Sequence, residues 1–225
     1  MAVIEGGVTG SLAEVDQTHL AQRITGRPMH VGARGSYSWG GVTGILPAAL
    51  AANSEIFQFR FVHASFLCLL RSVRICAAVT TTAFAAGVPI GLEMRNALAW
   101  SGVGTGGTRI TWGTDDAKKR ASFGTTVLGA NDVAIATTAA LGAGTKTLNG
   151  VACAHIIAQP GTLVTAFIPP GTVLWQRDTA EEYPFLYENQ QGFVIRSVEV
   201  PGTGTWKCAV HVEWSEIDPA AVSGW

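Results

Sequence analysis

Trp206-Lys207-Cys208-Ala209-Val210-His211-Val212-Glu213-Trp214 places Trp, Cys, Val, Val and Trp at every second position. Successive side chains on a strand point to opposite faces, so this stretch predicts a strand that buries its even-numbered side and wets Lys207, Ala209, His211 and Glu213. Two tryptophans on one face bring much apolar area, which makes this strand a wall of the main core. Just upstream, Phe193-Val194-Ile195-Arg196-Ser197-Val198-Glu199-Val200 is a second β-prone run. The link Pro201-Gly202-Thr203-Gly204-Thr205 holds two glycines that tolerate positive φ, and the pair reads as a closing hairpin over 192–217. Apolar parity slips between Ile195 and Val198, which a bulge near Arg196-Ser197 reconciles.

Composition bounds the classes. The chain has 225 residues, of which 48% are hydrophobic and only 14% charged, so it carries ample material for a core and is not a disordered segment. The charged fraction is well below the usual quarter, so much of the surface is Thr, Ser, Ala and Gly, and subunit contacts are expected to cover part of it. A net charge of −1 argues against a nucleic-acid binder that relies on phosphate attraction. No apolar run reaches the roughly 18 residues of a membrane helix, and no basic segment followed by an apolar core marks a secretory signal. Cys68, Cys76, Cys153 and Cys208 are scattered and read as buried free thiols of a protein made in a reducing cytosol.

Along the chain, residues 1–20 or so read as an extended arm and 22–28 as a short strand ended by Arg27-Pro28. A strand is predicted within 35–46, and a short helix or plain loop over 47–53. In 54–62, Phe57, Phe59 and Phe61 share one face. Residues 66–79 form a long strand, with 89–100 as its hairpin or sheet partner. Further strands are predicted at 110–112, 132–138, 147–158, 162–168 and 172–177, with Pro169-Pro170-Gly171 as a turn and the charged stretch 115–120 as a solvated loop. Roughly eight to ten strands separated by turn signals indicate a sandwich or barrel. No internal repeat or linker splits the chain, so the predicted architecture is one all-β domain over 1–225, a jelly-roll-like β-sandwich, with an N-terminal arm and a short tail over 218–225.

Chemical motifs are weak. Gly102-x-Gly104-x-x-Gly107 is followed by β-prone Thr108-Arg109-Ile110-Thr111-Trp112, whereas a dinucleotide fingerprint needs a helix there. Gly142-Ala143-Gly144-Thr145-Lys146-Thr147 lacks the glycine that a phosphate loop puts directly before its lysine. His19, His30, His63, His155 and His211 have no metal-ligand spacing. Asp115-Asp116 and Glu181-Glu182 are sequence neighbours, which point apart on a strand and do not make a glycosidase pair. No catalytic, cofactor or metal residue is therefore assigned, and the protein is expected not to be an enzyme. Seven tryptophans raise the alternative of a carbohydrate reader that stacks sugars on exposed rings; for Trp206 and Trp214, core placement is favoured. In the tail, Val222 and Trp225 are candidate subunit contacts.

Four segments resemble, as an ordered set, a family of structural proteins encoded in tailed-bacteriophage and prophage genomes. They are Arg23-Ile-Thr-Gly-Arg-Pro28 with Gly35-Ser-Tyr; Leu50-Ala-Ala-Asn-Ser-Glu-Ile-Phe-Gln-Phe-Arg60; Ala139-Ala-Leu-Gly-Ala-Gly-Thr-Lys-Thr-Leu148; and Asn189-Gln-Gln-Gly-Phe-Val-Ile-Arg196 with Gly204-Thr-Trp-Lys and Val212-Glu-Trp-Ser-Glu216. The resemblance runs from about residue 20 to 217 and implies a virion component without catalytic residues. The expectation drawn from it is a capsid decoration (cement) protein, made in the host bacterial cytoplasm and carried on the capsid surface. Its partners would be copies of itself and the major capsid protein, with no nucleic acid, membrane or cofactor involved. A tail, neck or fibre component that contacts the host is the first alternative, and a carbohydrate-binding or carbohydrate-active sandwich the second.

Overall fold

A computed structural model describes residues 33–48, 50–84, 88–159, 166–177, 185–199 and 202–219, together with the backbone of four residue pairs nearer the N-terminus. The chain divides into two units, Met1–Val31 and Gly32–Trp225. In the first, β1 (Glu5–Gly6) pairs antiparallel with β2 (Ser11–Leu12), and β3 (Val15–Asp16) with β4 (Ala21–Gln22). The strand expected over 22–28 lies, beyond Gln22, outside the described residues.

Among the described residues of the second unit every regular element is a strand: β5 (Ala33–Val42), β6 (Leu46–Pro47), β7 (Ser54–Phe61), β8 (Leu67–Val79), β9 (Ile90–Gly102), β10 (Thr108–Arg109), β11 (Val133–Ile135), β12 (Thr145–Leu148), β13 (Ala154–Ala158), β14 (Ala166–Gln176), β15 (Leu186–Tyr187), β16 (Gln191–Glu199) and β17 (Thr205–Ile217). They form two antiparallel sheets. One runs β14-β8-β17-β5, with β15 also on β8 and β6 also on β17; the other runs β10-β11-β7-β16-β9-β12, with β13 also on β9. Take the main strands in chain order as β5, β7, β8, β9, β13, β14, β16 and β17. The sheets then read first-eighth-third-sixth and second-seventh-fourth-fifth, the interleaved Greek keys of a jelly roll.

The alternation of β17 is realised in full: Trp206, Cys208, Val210, Val212 and Trp214 are each at most 1% exposed. Phe57, Phe59 and Phe61 of β7 line the facing sheet with Phe193 and Ile195 of β16. The sheets meet through rings. Phe59 packs edge-on to Trp214 with centroids 5.5 Å apart, and Phe57 stacks on Trp39 at 5.7 Å. Such aromatic pairs add roughly 0.5–1.5 kcal/mol each beyond area burial.

Several pairings differ from the sequence reading. The two runs of the expected closing hairpin do not pair. β16 bonds to β7 and β9, while β17 bonds to β8 and β5. Packed sheets stand about 10 Å apart, a gap that five residues span as readily as they close a hairpin. The slip expected near Arg196 is present, as a register shift between Ile195 and Arg196 against β7. β9 is likewise not the partner of β8; it lies in the opposite sheet.

Pro169-Pro170-Gly171 is not a turn between two strands but a bulge within β14. Ile168 pairs with Ala77 and Thr172 with Ile75. β14 ends its sheet, and an edge tolerates prolines that have no N–H to donate. Gly171 sits at φ +78, where a side chain would be strained. The single strand expected over 147–158 is two, β12 and β13, which pair with different halves of β9. The strand expected at 110–112 lies at Thr108–Arg109, and that at 132–138 is confined to Val133–Ile135. Between β6 and β7 the described residues form a loop, not a helix. The stretch 115–120 is only partly solvated: Ser38 N donates to Ala117 O and Lys119 N to Ser36 O, which covers that part of the β5 edge.

Candidate functional site

Charge is scarce in this chain, yet four carboxylates are buried among the described residues, each in its own network: Glu55, Glu93, Glu216 and Asp132, the last paired with Arg60 at 2.8 Å. Glu216, at the end of β17, is fully buried. It accepts hydrogen bonds from Thr126 Oγ1, from Val127 N at 3.1 Å and from Trp214 Nε1 at 3.3 Å, with Arg34 Nε at 3.9 Å. Burial pushes its carboxyl above the usual range, and these hydrogen bonds oppose the shift. Tyr37 beside it is pushed up to about 12 by burial and by the charge of Glu216. The network ties the loop around residues 124–128 to the core.

On the other sheet Glu93 accepts from Arg95 Nε at 2.6 Å and from Arg196 Nε. Glu55 accepts from Lys146 Nζ at 2.7 Å and from Gln58 Nε2 at 2.6 Å. These are fastenings between elements. Among the described residues no group of three or more His, Cys, Asp or Glu is placed to hold a metal ion.

The other residues singled out in the sequence fall as follows. Cys68, Cys76, Cys153 and Cys208 are all free; Cys68 and Cys208 are buried and the other two half-buried. Burial pushes the Cys153 thiol up to about 11 and Cys208 up to about 12, which disfavours the thiolate form needed for nucleophilic attack. Trp39, Trp100, Trp112, Trp175, Trp206 and Trp214 are buried or half-buried, so none is an open stacking platform for sugars. Gly104 and Gly107 belong to a loop leading into β10, not into a helix. The Asp115 side chain is 89% exposed, and Asp116 Oδ2 accepts from Gly113 N at 2.6 Å. Glu181, Glu182, His19, His30, Val222 and Trp225 lie outside the described residues. Among the described residues no helix is long and apolar enough to cross a membrane.

One surface that can bind is the outer face of β8, β17 and β5. Ile75, Ala77, Cys208 and Val210 point into the core, so alternation turns Arg74, Cys76, Ala209 and His211 outward. Gly40, Gly41 and Val42 of β5 and Pro170 and Gly171 of the β14 bulge complete a groove of about 520 Å³ with Arg74, Cys76, Ala209 and His211. Its floor is small residues. Val42 on β5 and Val173 on β14, at the two edges of the sheet, are 59% and 47% exposed.

Arg74 and Lys207 are exposed on this face and lie in no salt bridge among the described residues, although the charge of Arg74 reaches Glu213, which pairs with Lys119 at 2.8 Å. The face is therefore cationic in a chain of net charge −1. Parity along 206–214 puts Lys207, Ala209 and His211 together, but the neighbours Arg74, Cys76 and Gly40 come from the register of three strands. Comparison with protein-family models, with curated proteins and with solved structures finds no match.

Proposed function

We propose that this protein is a non-enzymatic component of a tailed-bacteriophage virion, a decoration protein that docks on the outside of the capsid and stabilises contacts between coat subunits. The observation that carries the reading is the outer face of β8, β17 and β5. It is a hydrogen-bonded sheet surface with a small-residue floor, exposed Val42 and Val173, and the exposed cations Arg74 and Lys207, which lie in no salt bridge among the described residues. Charge complementarity makes the occupant an acidic, extended segment of the coat protein, with its carboxylates at Arg74 and its apolar side chains over Val42 and Ala209. A protein that binds only the assembled shell stabilises that shell by mass action. A jelly roll suits such work, because its paired sheets hold a docking face stiff. The sparse charge fits wide subunit contacts.

The test is co-sedimentation with phage heads, together with the heat resistance of heads with and without the protein. Decorated heads are expected to survive heating that opens bare ones. Arg74→Glu is expected to weaken head binding at least tenfold with the β-sheet signature unchanged, since truncating or reversing a charge at a docked pair costs about 2 kcal/mol or more. Cys76, on the groove wall, gives an independent readout: thiol alkylation at Cys76 is expected to be blocked on heads and open in the free protein. A protein that never sediments with heads refutes the proposal.

A further inference from the structure

Gln58, Glu55, Lys146 and Trp100 form a closed polar cluster on the side of β7 and β9 that faces away from the jelly-roll core. The side chains of Lys146 and Glu55 are 3% and 7% exposed, and Gln58 is fully buried. Lys146 Nζ lies 4.4 Å from the centre of the Trp100 ring and also donates to Ala143 O. A single carboxylate oxygen, Glu55 Oε2, accepts from both Lys146 Nζ at 2.7 Å and Gln58 Nε2 at 2.6 Å. The amine and the carboxamide nitrogen are therefore no farther apart than those two bonds laid end to end.

The orientation of the Gln58 amide is set by its partners. Nε2 donates to Glu55 Oε2 and to Gly142 O at 2.9 Å, both acceptors only. Oε1 is then left buried without a hydrogen-bond donor, an expensive state for an amide oxygen. Burial also holds the Lys146 ammonium below the usual lysine range, against the opposing pull of Glu55. A desolvated lysine is the state in which its amine becomes a nucleophile.

We infer that Lys146 and Gln58 form an intramolecular amide cross-link, with Glu55 as the proton carrier. The Lys146 ammonium gives a proton to Glu55, and the freed lone pair attacks Gln58 Cδ as the carbonyl electrons move to Oε1. When the carbonyl re-forms, the Cδ–Nε2 bond breaks and Glu55 delivers the proton to the departing nitrogen. The product amide keeps one of the three hydrogens of the ammonium. The other two leave with Nε2 and its own two hydrogens as an ammonium ion, and Glu55 returns to its carboxylate. Charge is conserved and no oxidant or co-reactant is required. Sharing one buried carboxylate oxygen holds the Lys146 amine and the Gln58 amide side by side, which converts a slow bimolecular aminolysis into a proximity-driven step.

The bond joins β12 to β7 across the face of the sheet, over the intervening strands β16 and β9. It would tie β7 covalently to β12 across the two strands between them. This assignment does not depend on the capsid reading, since it concerns the isolated chain.

Intact mass of the purified wild-type chain, held folded at neutral pH, decides it. The expected mass is that of the sequence less one ammonia. Proteolysis should then yield one species that joins the peptide of Gln58 to that of Lys146, uncut after Lys146. Lys146→Arg and Gln58→Leu are each expected to show their full sequence mass. Glu55→Gln, with its β signature checked by circular dichroism, is expected to form the link at least a hundredfold more slowly, the usual loss for a general acid–base. Folded wild-type protein at its full sequence mass overturns the inference. So does an ammonia loss that persists in Lys146→Arg.

Discussion

Trp214→Ala is expected to lower the stability of the jelly roll by about 3–5 kcal/mol, the range for removing a large aromatic from a packed core. Trp214 is fully buried and touches rings from three directions. Tyr37 of the neighbouring strand stacks on it at 5.6 Å, Phe59 of the opposite sheet meets it edge-on at 5.5 Å, and Trp112 reaches it from the loop after β10 at 5.9 Å. Its Nε1 also donates to Glu216 Oε1, so truncation removes one of the hydrogen bonds that hold a buried carboxylate. Loss on this scale is a large part of the net stability of a typical domain. Denaturant titration is the measurement: the midpoint should fall sharply for Trp214→Ala. Lys207→Ala, on the exposed face of the same strand, should stay within about 0.5 kcal/mol of the wild type. Equal effects at the two positions would contradict the packing described for β17.

Glu93→Ala is the second large effect, with an expected cost of about 3 kcal/mol, because it takes the shared carboxylate from Arg196 and Arg95 beside a buried sheet face, leaving Arg95 its bonds to Asn149 O and Gly150 O. Glu93 is 4% exposed and bonds both Arg95, two residues away on β9, and Arg196 on the adjoining β16. Burial alone would raise its carboxyl, but the hydrogen bonds and charges of Arg95 and Arg196 outweigh it and hold Glu93 below the usual glutamate range. A carboxyl lowered on folding contributes stability that is fully present above its unfolded pKa and is lost as pH falls through the folded value. The wild type should therefore lose this contribution on acidification below about pH 4, near the ordinary glutamate pKa, and Glu93→Ala should not. Glu216 has the opposite sign. Its carboxyl is raised, so the cost of burying its charge is relieved as pH falls through that raised value. The gap between wild type and Glu93→Ala, followed by thermal unfolding from neutral to acid pH, is expected to narrow. A gap that does not change with pH would show that the glutamate acts through packing alone.

The candidate docking face and the buried lysine were legible to different degrees. That Lys207, Ala209 and His211 share a face follows from parity alone. That Arg74 and Cys76 of β8 and Gly40 of β5 lie beside them depends on the pairs His211↔Arg74, Ala209↔Cys76 and His211↔Gly40, and no local pattern encodes a register between strands so distant in sequence. Lys146 sits in a glycine-rich stretch that has Thr145 where a phosphate loop needs glycine. Its partner Glu55 is 91 residues away, and a lysine beside glycines carries no sign that it will be buried.

The same distinction holds for the fold. By itself the sequence determined that the protein is built of strands, which side of 206–214 is buried, that Phe57, Phe59 and Phe61 share a face, and that 193–200 carries a bulge. All of these are local, because side-chain alternation belongs to one strand and needs no partner. Only the tertiary structure decided which strands pair. Every strand offers the same backbone donors and acceptors on both edges, so the 193–200 and 206–214 runs suited a hairpin and a sheet-to-sheet crossing equally. The choice was made by long-range packing: Phe193 and Ile195 complete the aromatic layer of β7 on one side of the core, and Trp206 and Trp214 close it from the other.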